Sequence, residues 1–305
     1  MALVTLPPSF TAIAARGPAW AGFVESVPRL LRDLLGEWEL VVDGEPTHGY
    51  CALVVPVRTR ERADAVLKIG FVDEESEHEA LALQHWHGRG AVTLLRADPR
   101  RGALLLERLA SRDLGEEWDV AACETVGELY RGLHLPAPPQ LRLLSVLCED
   151  WAARLAALPR SAPLPRRMVE QAAHLARDLA TDTATDGRLL HTDLHYANVL
   201  ADPTAGGWRA IDPKPLSGDP HFEPAPLLWN RFDELAGDVR DGVRRRFHAV
   251  IDAAGLEEDR ARDWVIVRML VNALWRLEDD AAEMRRLDTA SWLTMCLAIA
   301  KAVQD

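Results

Sequence analysis

Between Trp38 and Glu107 the apolar residues come in short β-rich runs, and beyond Glu107 they recur at helical spacing almost to the end of the chain. That change of period fixes the order of construction, because residues two apart share a face of a strand whereas residues three and four apart share a face of a helix. Residues 38–42, 51–57 and 65–69 read as an antiparallel meander, broken by Asp43-Gly44-Glu45-Pro46 and by the charged stretch 58–62. A helix over 74–86 follows, then strands over 92–96 and 103–107 joined by the turn Asp98-Pro99-Arg100-Arg101. Ahead of the strands, Phe23, Val27, Leu30, Leu31, Leu34 and Leu35 make one apolar helix stripe, with Pro18 suited to its first turn.

The remainder predicts helices near 118–134, 141–157, 166–181, 223–236, 238–254, 258–278 and 288–303. One β interruption, 198–202 and 208–211 around Gly206-Gly207, lies among them. The plan is α+β: a small β-rich lobe over residues 1–109 with a leading helix, and a larger helical lobe over 110–305, a cleft between lobes being the expected place for a site. No internal repeat is present. The proline-rich 136–139 and 160–165 read as loop punctuation inside the larger lobe.

Charge narrows the function classes. Lys and Arg number 35 against 47 Asp and Glu, and a net charge of −12 disfavours a nucleic-acid partner. Residues 110–305 carry −9 of that charge, so the acidic excess belongs to the helical lobe. Only three of the basic residues are lysines, Lys68, Lys214 and Lys301, which singles each of them out. Cys51, Cys123, Cys148 and Cys296 lie far apart without zinc-ligand spacing and read as reduced thiols. The first residues lack the basic start of a secretory signal, and no apolar run reaches the ~18 residues of a membrane span, so a cytoplasmic location without membrane association is expected. Nothing points to an obligate protein partner.

The densest polar constellation is His191-Thr192-Asp193-Leu194-His195-Tyr196-Ala197-Asn198, followed after the hairpin by Asp212 in Ala210-Ile211-Asp212-Pro213-Lys214-Pro215. H-x-D-x-x-x-x-N, hairpin, D is the order of a kinase catalytic loop and metal-binding segment. In that chemistry Asp193 takes or orients the proton of an acceptor hydroxyl, and Asn198 and Asp212 hold Mg2+ against the phosphates of ATP. Taken alone, an Asp and an Asn in a loop are ordinary turn formers, and His191, Asp193 and His195 could instead gather a transition metal. Two other readings stand beside the kinase: a catalytically silent nucleotide-binding protein, and a hydrolase using Asp193 with His195, for which no Ser or Cys nucleophile sits in a strand-to-helix elbow.

Lys68, in Ala65-Val66-Leu67-Lys68-Ile69, is the only lysine among the first 213 residues and sits on the third strand before a helix, where a kinase places the lysine for its phosphates. Glu79 on that helix is its expected partner, with Glu77 and Glu75 as rivals. The strand ending in Glu107 leads to a hinge where the Glu107 carbonyl and the Leu109 amide are candidates for reading the adenine edge. The loop Gly44-Glu45-Pro46-Thr47-His48-Gly49-Tyr50 lacks a G-x-G-x-x-G pattern and is a weak phosphate-loop signal.

These residues resemble the aminoglycoside phosphotransferase superfamily, and within it the aminoglycoside and hydroxyurea antibiotic-resistance kinases that include streptomycin 6-phosphotransferases. The resemblance is carried by residues 190–200, by Ala210-Ile211-Asp212-Pro213-Lys214-Pro215 with the run to Pro220, and by Glu223-Pro224-Ala225-Pro226-Leu227-Leu228-Trp229-Asn230. It implies a bilobal protein-kinase-like fold and ATP-dependent transfer to a hydroxyl of a streptomycin-like aminoglycoside, with hydroxyurea or a metabolic alcohol as alternative acceptor. Thr192 stands where the family loop usually has glycine, and Glu223 where aspartate is common. Asp219 and Glu223, following Asp212, are the expected lining of a pocket for a cationic acceptor.

Overall fold

The computed structural model describes residues 5–283 and 289–304, with no side-chain description over 280–283. Residues 1–4 of the N-terminal stretch and position 288, the expected start of the last helix, lie outside the described residues. The chain divides into two compact units, Met1–Ala110 and Ser111–Asp305.

The first unit opens with a short helix, α1 (Pro8–Thr11), and a long one, α2 (Pro18–Glu37). Strands β1 (Val41–Val42), β2 (Thr47–His48), β3 (Ala52–Arg58) and β4 (Asp64–Gly70) precede α3 (Glu79–Trp86), and β5 (Leu94–Asp98) and β6 (Ala103–Glu107) follow it. All pairings are antiparallel, in the order β1-β3-β4-β6-β5, with β2 added on β3. Pleating sorts the side chains: Leu53, Val55 and Val57 of β3 and Ala65, Leu67 and Ile69 of β4 are fully buried in one cluster with Val27, Leu31 and Leu34 of α2. Lys68, one residue out of phase with that set, therefore projects from the opposite face of the sheet.

Helix α3 starts five residues later than the sequence pattern suggests. The Asp73 carboxylate accepts from the Glu75 and Ser76 backbone N–H groups and from the Ser76 hydroxyl, so residues 74–78 close into turns first.

The second unit contains α4 (Asp119–Leu133), α5 (Leu144–Ala157) and α6 (Arg166–Thr181), then β7 (Arg188–Leu190), the hairpin β8 (Val199–Ala201) and β9 (Trp208–Ala210), and β10 (Leu216–Gly218). Helices α7 (Ala225–Trp229), α8 (Val239–Ala254), α9 (Glu258–Glu283) and α10 (Thr289–Ala302) complete it. Strands β7 and β10 pair antiparallel, a two-stranded sheet of three-residue strands too short to show a period. The expected single helix over 223–236 is instead α7 and a 3-10 turn at Phe232–Leu235, separated where Arg231 takes φ 56°. Among the described residues no helix is long and apolar enough to cross a membrane.

Helices α4 and α8 touch backbone to backbone at Gly127, where a Cβ would lie 2.6 Å from the Ala253 Cβ and 2.7 Å from the Val250 carbonyl oxygen. Neither contact can yield without moving a helix axis. Gly127→Ala is expected to lower unfolding free energy by about 1–3 kcal/mol in urea titrations, and an unchanged midpoint would show that the two helices separate freely.

Candidate active site

In the first unit, Lys68 Nζ meets both carboxylate oxygens of Glu79, at 2.6 and 2.8 Å. The side chains are only 12% and 8% exposed, so the pair is held in low dielectric with little screening. Glu79 is the first residue of α3, where the helix N-terminus favours a carboxylate. Of the two rivals, Glu77 lies against His78 Nδ1 at 3.3 Å, and it is Glu79 that meets Lys68. Glu107 ends β6 with its Oε1 accepting the Thr93 N–H at 2.7 Å, which fixes the strand end, and Leu109 follows in irregular chain.

In the second unit, β7 delivers the chain to the loop 191–198 and the β8–β9 hairpin returns it to Asp212. Register pairs Val199 with Ala210, and the Ile211 N–H donates to the Asn198 carbonyl at 2.9 Å, so Asn198 and the Ile211–Asp212 peptide are brought side by side. The Asn198 Nδ2 donates to the Asp193 carbonyl at 2.8 Å. The amide thereby turns its donor toward the loop and keeps its Oδ1 as an acceptor. Asp193 itself stands 20% exposed, with its Oδ2 3.0 Å from Lys214 Nζ.

The loop is bent by strain that other bonds hold in place. Thr192 and Asp212 have φ of 61° and 58°, the left-handed region that a β-branched residue such as Thr192 occupies at a cost. Three bonds fix Thr192 there: its N–H donates to Glu223 Oε2 at 2.9 Å, the His191 N–H donates to Glu223 Oε1 at 2.6 Å, and the Thr192 hydroxyl donates to the Lys214 carbonyl at 2.6 Å. His191 is fully buried, its Nε2 2.9 Å from the Ile211 carbonyl and its Nδ1 3.4 Å from the Asp193 N–H. Those partners require a neutral ring protonated at Nε2, and burial lowers the His191 pKa in the same direction. Burial lowers that of His195 as well.

Two expected residues have other work. Glu223 is fully buried, and its carboxylate is taken by the two loop N–H groups. Asp219 is 2% exposed and accepts from the His221 N–H at 3.0 Å, His221 Nδ1 at 2.6 Å, Trp264 Nε1 at 2.7 Å and Arg260 Nε. Burial alone would raise the Asp219 pKa, and the bonds from His221 and Trp264 outweigh it and hold the carboxyl below its usual value. Both carboxylates are buried and bonded within the second unit, so the expectation of an acceptor-binding pocket lined by them is corrected. The transition-metal alternative is corrected too: among the described residues no three His, Cys, Asp or Glu side chains group to hold a metal ion, because His191 turns both ring nitrogens to the loop.

Sequence reasoning assigned no role to Lys214, Asp119 or Arg246. The first was visible as one of three lysines. Arg246, fully buried and paired with Asp119 at 2.8 Å, looks from sequence like any charged residue on a helix.

Residues 37–280 match the family described as aminoglycoside/hydroxyurea antibiotic resistance kinase. A streptomycin 6-kinase of Streptomyces glaucescens is 39% identical over 296 residues, spanning 92% of this chain and 94% of that one. A hydroxyurea phosphotransferase of Kitasatospora aureofaciens is 40% identical over 301 residues, spanning 95% and 85%. Among solved structures, a choline/ethanolamine kinase family protein from Mesorhizobium loti aligns with a TM-score of 0.63 at 17% identity, covering 90% of this chain and 95% of that one, which speaks for the fold alone.

Two outcomes follow from the loop geometry. Glu223→Gln keeps the shape but sets an amide N–H against one of the loop N–H groups, and is expected to cost about 1–3 kcal/mol in chemical denaturation. An undiminished midpoint would remove Glu223 from its holding role. The His191 pKa lies below the ordinary 6.5, so the unfolded chain binds more protons as pH falls. The contribution of neutral His191 is therefore complete above about pH 6.5 and lost as pH drops through the folded value. Unfolding free energy should decline in that window, and the decline should be shallower in His191→Asn.

Proposed function

Because the chain belongs to the aminoglycoside/hydroxyurea antibiotic resistance kinase family, we propose that it transfers the γ-phosphoryl group of ATP to a hydroxyl of an aminoglycoside, streptomycin foremost, and so inactivates the antibiotic. The observation that carries the reading is the placing of Asp193, Asn198 and Asp212 on one strained loop and hairpin, Asn198 bonded to the Asp193 carbonyl and to the Ile211 N–H that precedes Asp212. A catalytically silent protein would have no need to hold such a loop in a costly conformation.

Asp193 accepts the proton of the acceptor hydroxyl as its oxygen bonds to the γ-phosphorus. The bond from that phosphorus to the bridging oxygen breaks, and ADP leaves with the electron pair. In the first unit, Lys68 holds the α- and β-phosphates, and Glu79 keeps the ammonium aimed. Glu107 and Leu109 offer backbone groups to the adenine. Asn198 Oδ1 and the Asp212 carboxylate are hard oxygen donors of the kind magnesium takes, and these two residues would hold it. When bound, magnesium neutralises charge on the nucleotide phosphates. ATP is a substrate, and the acceptor is the other small-molecule partner.

Hydroxyurea is the second acceptor to weigh, since a hydroxyurea phosphotransferase is as similar to this chain as the streptomycin kinase is. One assay separates them: purified protein, ATP with magnesium, and a panel of aminoglycosides with hydroxyurea, followed by ADP release and product mass. Streptomycin should be turned over with the highest kcat/KM. Asp193→Asn should lower kcat by at least ~10²-fold while ATP still binds. Turnover of hydroxyurea alone would replace the aminoglycoside reading, and an Asp193→Asn enzyme within a few-fold of wild type would unseat Asp193 as the base.

A further inference from the structure

The chemistry above uses one of the three lysines, Lys68. The geometry points to a second, Lys214, as a positioning residue for the transfer: its ammonium holds one oxygen of the Asp193 carboxylate so that the other is presented to the acceptor hydroxyl. The inference rests on the reading of Asp193 as the base.

Lys214 is placed by its own main chain. Its N–H donates to the His191 carbonyl at 3.0 Å and its carbonyl accepts the Thr192 hydroxyl at 2.6 Å, so it is stitched to the two residues that precede Asp193. Pro213 and Pro215 flank it. The first has a fixed φ, and the second biases Lys214 toward extended backbone. On the other side, the Asp193 carbonyl is held by Asn198 Nδ2 at 2.8 Å. With both backbones fixed, side-chain rotation remains, and the contact of Lys214 Nζ with Asp193 Oδ2 at 3.0 Å restricts it. The oxygen that meets Lys214 is Oδ2, and Oδ1 is taken as the one turned to the acceptor.

A pair with the lysine side chain 37% exposed adds little to folding stability, but even a small preference biases which way a surface carboxylate turns, and that bias is what the contact supplies. In the transfer step the acceptor O–H bond breaks toward Asp193 Oδ1 as the new O–P bond forms and ADP departs. A carboxylate free to rotate about its side-chain torsions would spend part of its time with neither oxygen facing the hydroxyl, and misplacement of that kind lowers kcat without weakening the binding of either substrate. The bonds that hold the loop come from the Lys214 backbone, so replacing its side chain separates positioning from folding.

The test is steady-state kinetics of the full chain with ATP and streptomycin for Lys214→Met, Lys214→Ala and Lys214→Arg, with unfolding midpoints and a crystal structure of Lys214→Met. The expected result is a fall in kcat of at least ~10-fold for Met and Ala, with both KM values within about threefold of wild type, on the scale of lost orientation. Arg should restore most of the kcat, midpoints should stay level, and the Asp193 carboxylate should leave its wild-type rotamer in the Met variant. A Met variant with wild-type kcat overturns the proposal, as does a loss of activity that tracks a fallen midpoint and is not rescued by Arg. If the wild type phosphorylates no acceptor in the panel, the functional reading fails, and the crystal structure decides: an Asp193 rotamer unchanged in Lys214→Met refutes positioning, and a displaced one supports it.

Discussion

The second unit is organised around one buried carboxylate. Glu223 has no exposed surface, and a carboxylate taken out of water at that depth is tolerated only where donors replace its hydration. The His191 and Thr192 N–H groups are those donors. Their bonds are charge-assisted and dry, hence strong enough to hold a threonine in the left-handed region. Because Thr192 is bent there, its hydroxyl reaches the Lys214 carbonyl and the next residue, Asp193, turns out of the core. Glu223 is fixed in turn by its own main chain, whose carbonyl accepts the Tyr130 hydroxyl at 2.9 Å from helix α4. An aspartate, one methylene shorter, would draw the loop closer to the 220–224 segment.

The loop is anchored at its far end by a different kind of contact. The Tyr196 hydroxyl lies 3.2 Å from Asp119 Oδ1, and the guanidinium groups of Arg231 and Arg246 stand 4.8 and 5.7 Å from its ring centre. Arg246 binds Asp119 and the carbonyls of Asn230 and Arg231, so this cluster joins α4, α8 and the break after α7. The break at Arg231 thus has a use: a continuous helix over 223–236 would keep the Asn230 and Arg231 carbonyls for its own ladder. Asp193 lies between the two anchors, and its orientation is set by contacts within the loop and with Lys214.

Much of this was legible in the sequence. The period change at Glu107 located β3 to β6 and most helices, because the meander buries one face and the helices one stripe; β2 falls in the stretch read as a loop, and only Val41–Val42 of the expected strand over 38–42 is paired. Lys68 was legible because a lone lysine in a strand that alternates buried residues must project from the other face. What stayed hidden depends on single bonds. The start of α3 is decided by the Asp73 carboxylate, and β7 and β10 are three residues each, below the length at which alternation carries information. Asp219 and Glu223 were misread for a physical reason: sequence shows a charge near a motif, but not whether water or the protein surrounds it. Hydrogen-bond donors decided that question for Asp219: His221, two residues on, and Trp264, brought in from helix α9.

With those two carboxylates committed inside the lobe, the acidic balance must be understood as a field and not as a pocket. Residues 110–305 carry −9 of the net −12, and much of the charge is spread over helix surfaces where individual pairs are screened. Summed, such charges still bias the approach of a cation over distances near the Debye length, and they do so without any one residue being indispensable. Close to the base the sign is different. Lys214 stands against Asp193, so the carboxylate proposed as the base is already matched by a cation and offers a guanidinium little reason to dock on it. A cationic acceptor would then be drawn to the lobe by its general charge and kept from binding head-on at the one carboxylate that has to receive its hydroxyl, which is the division between attraction and chemistry that a kinase for such a substrate requires.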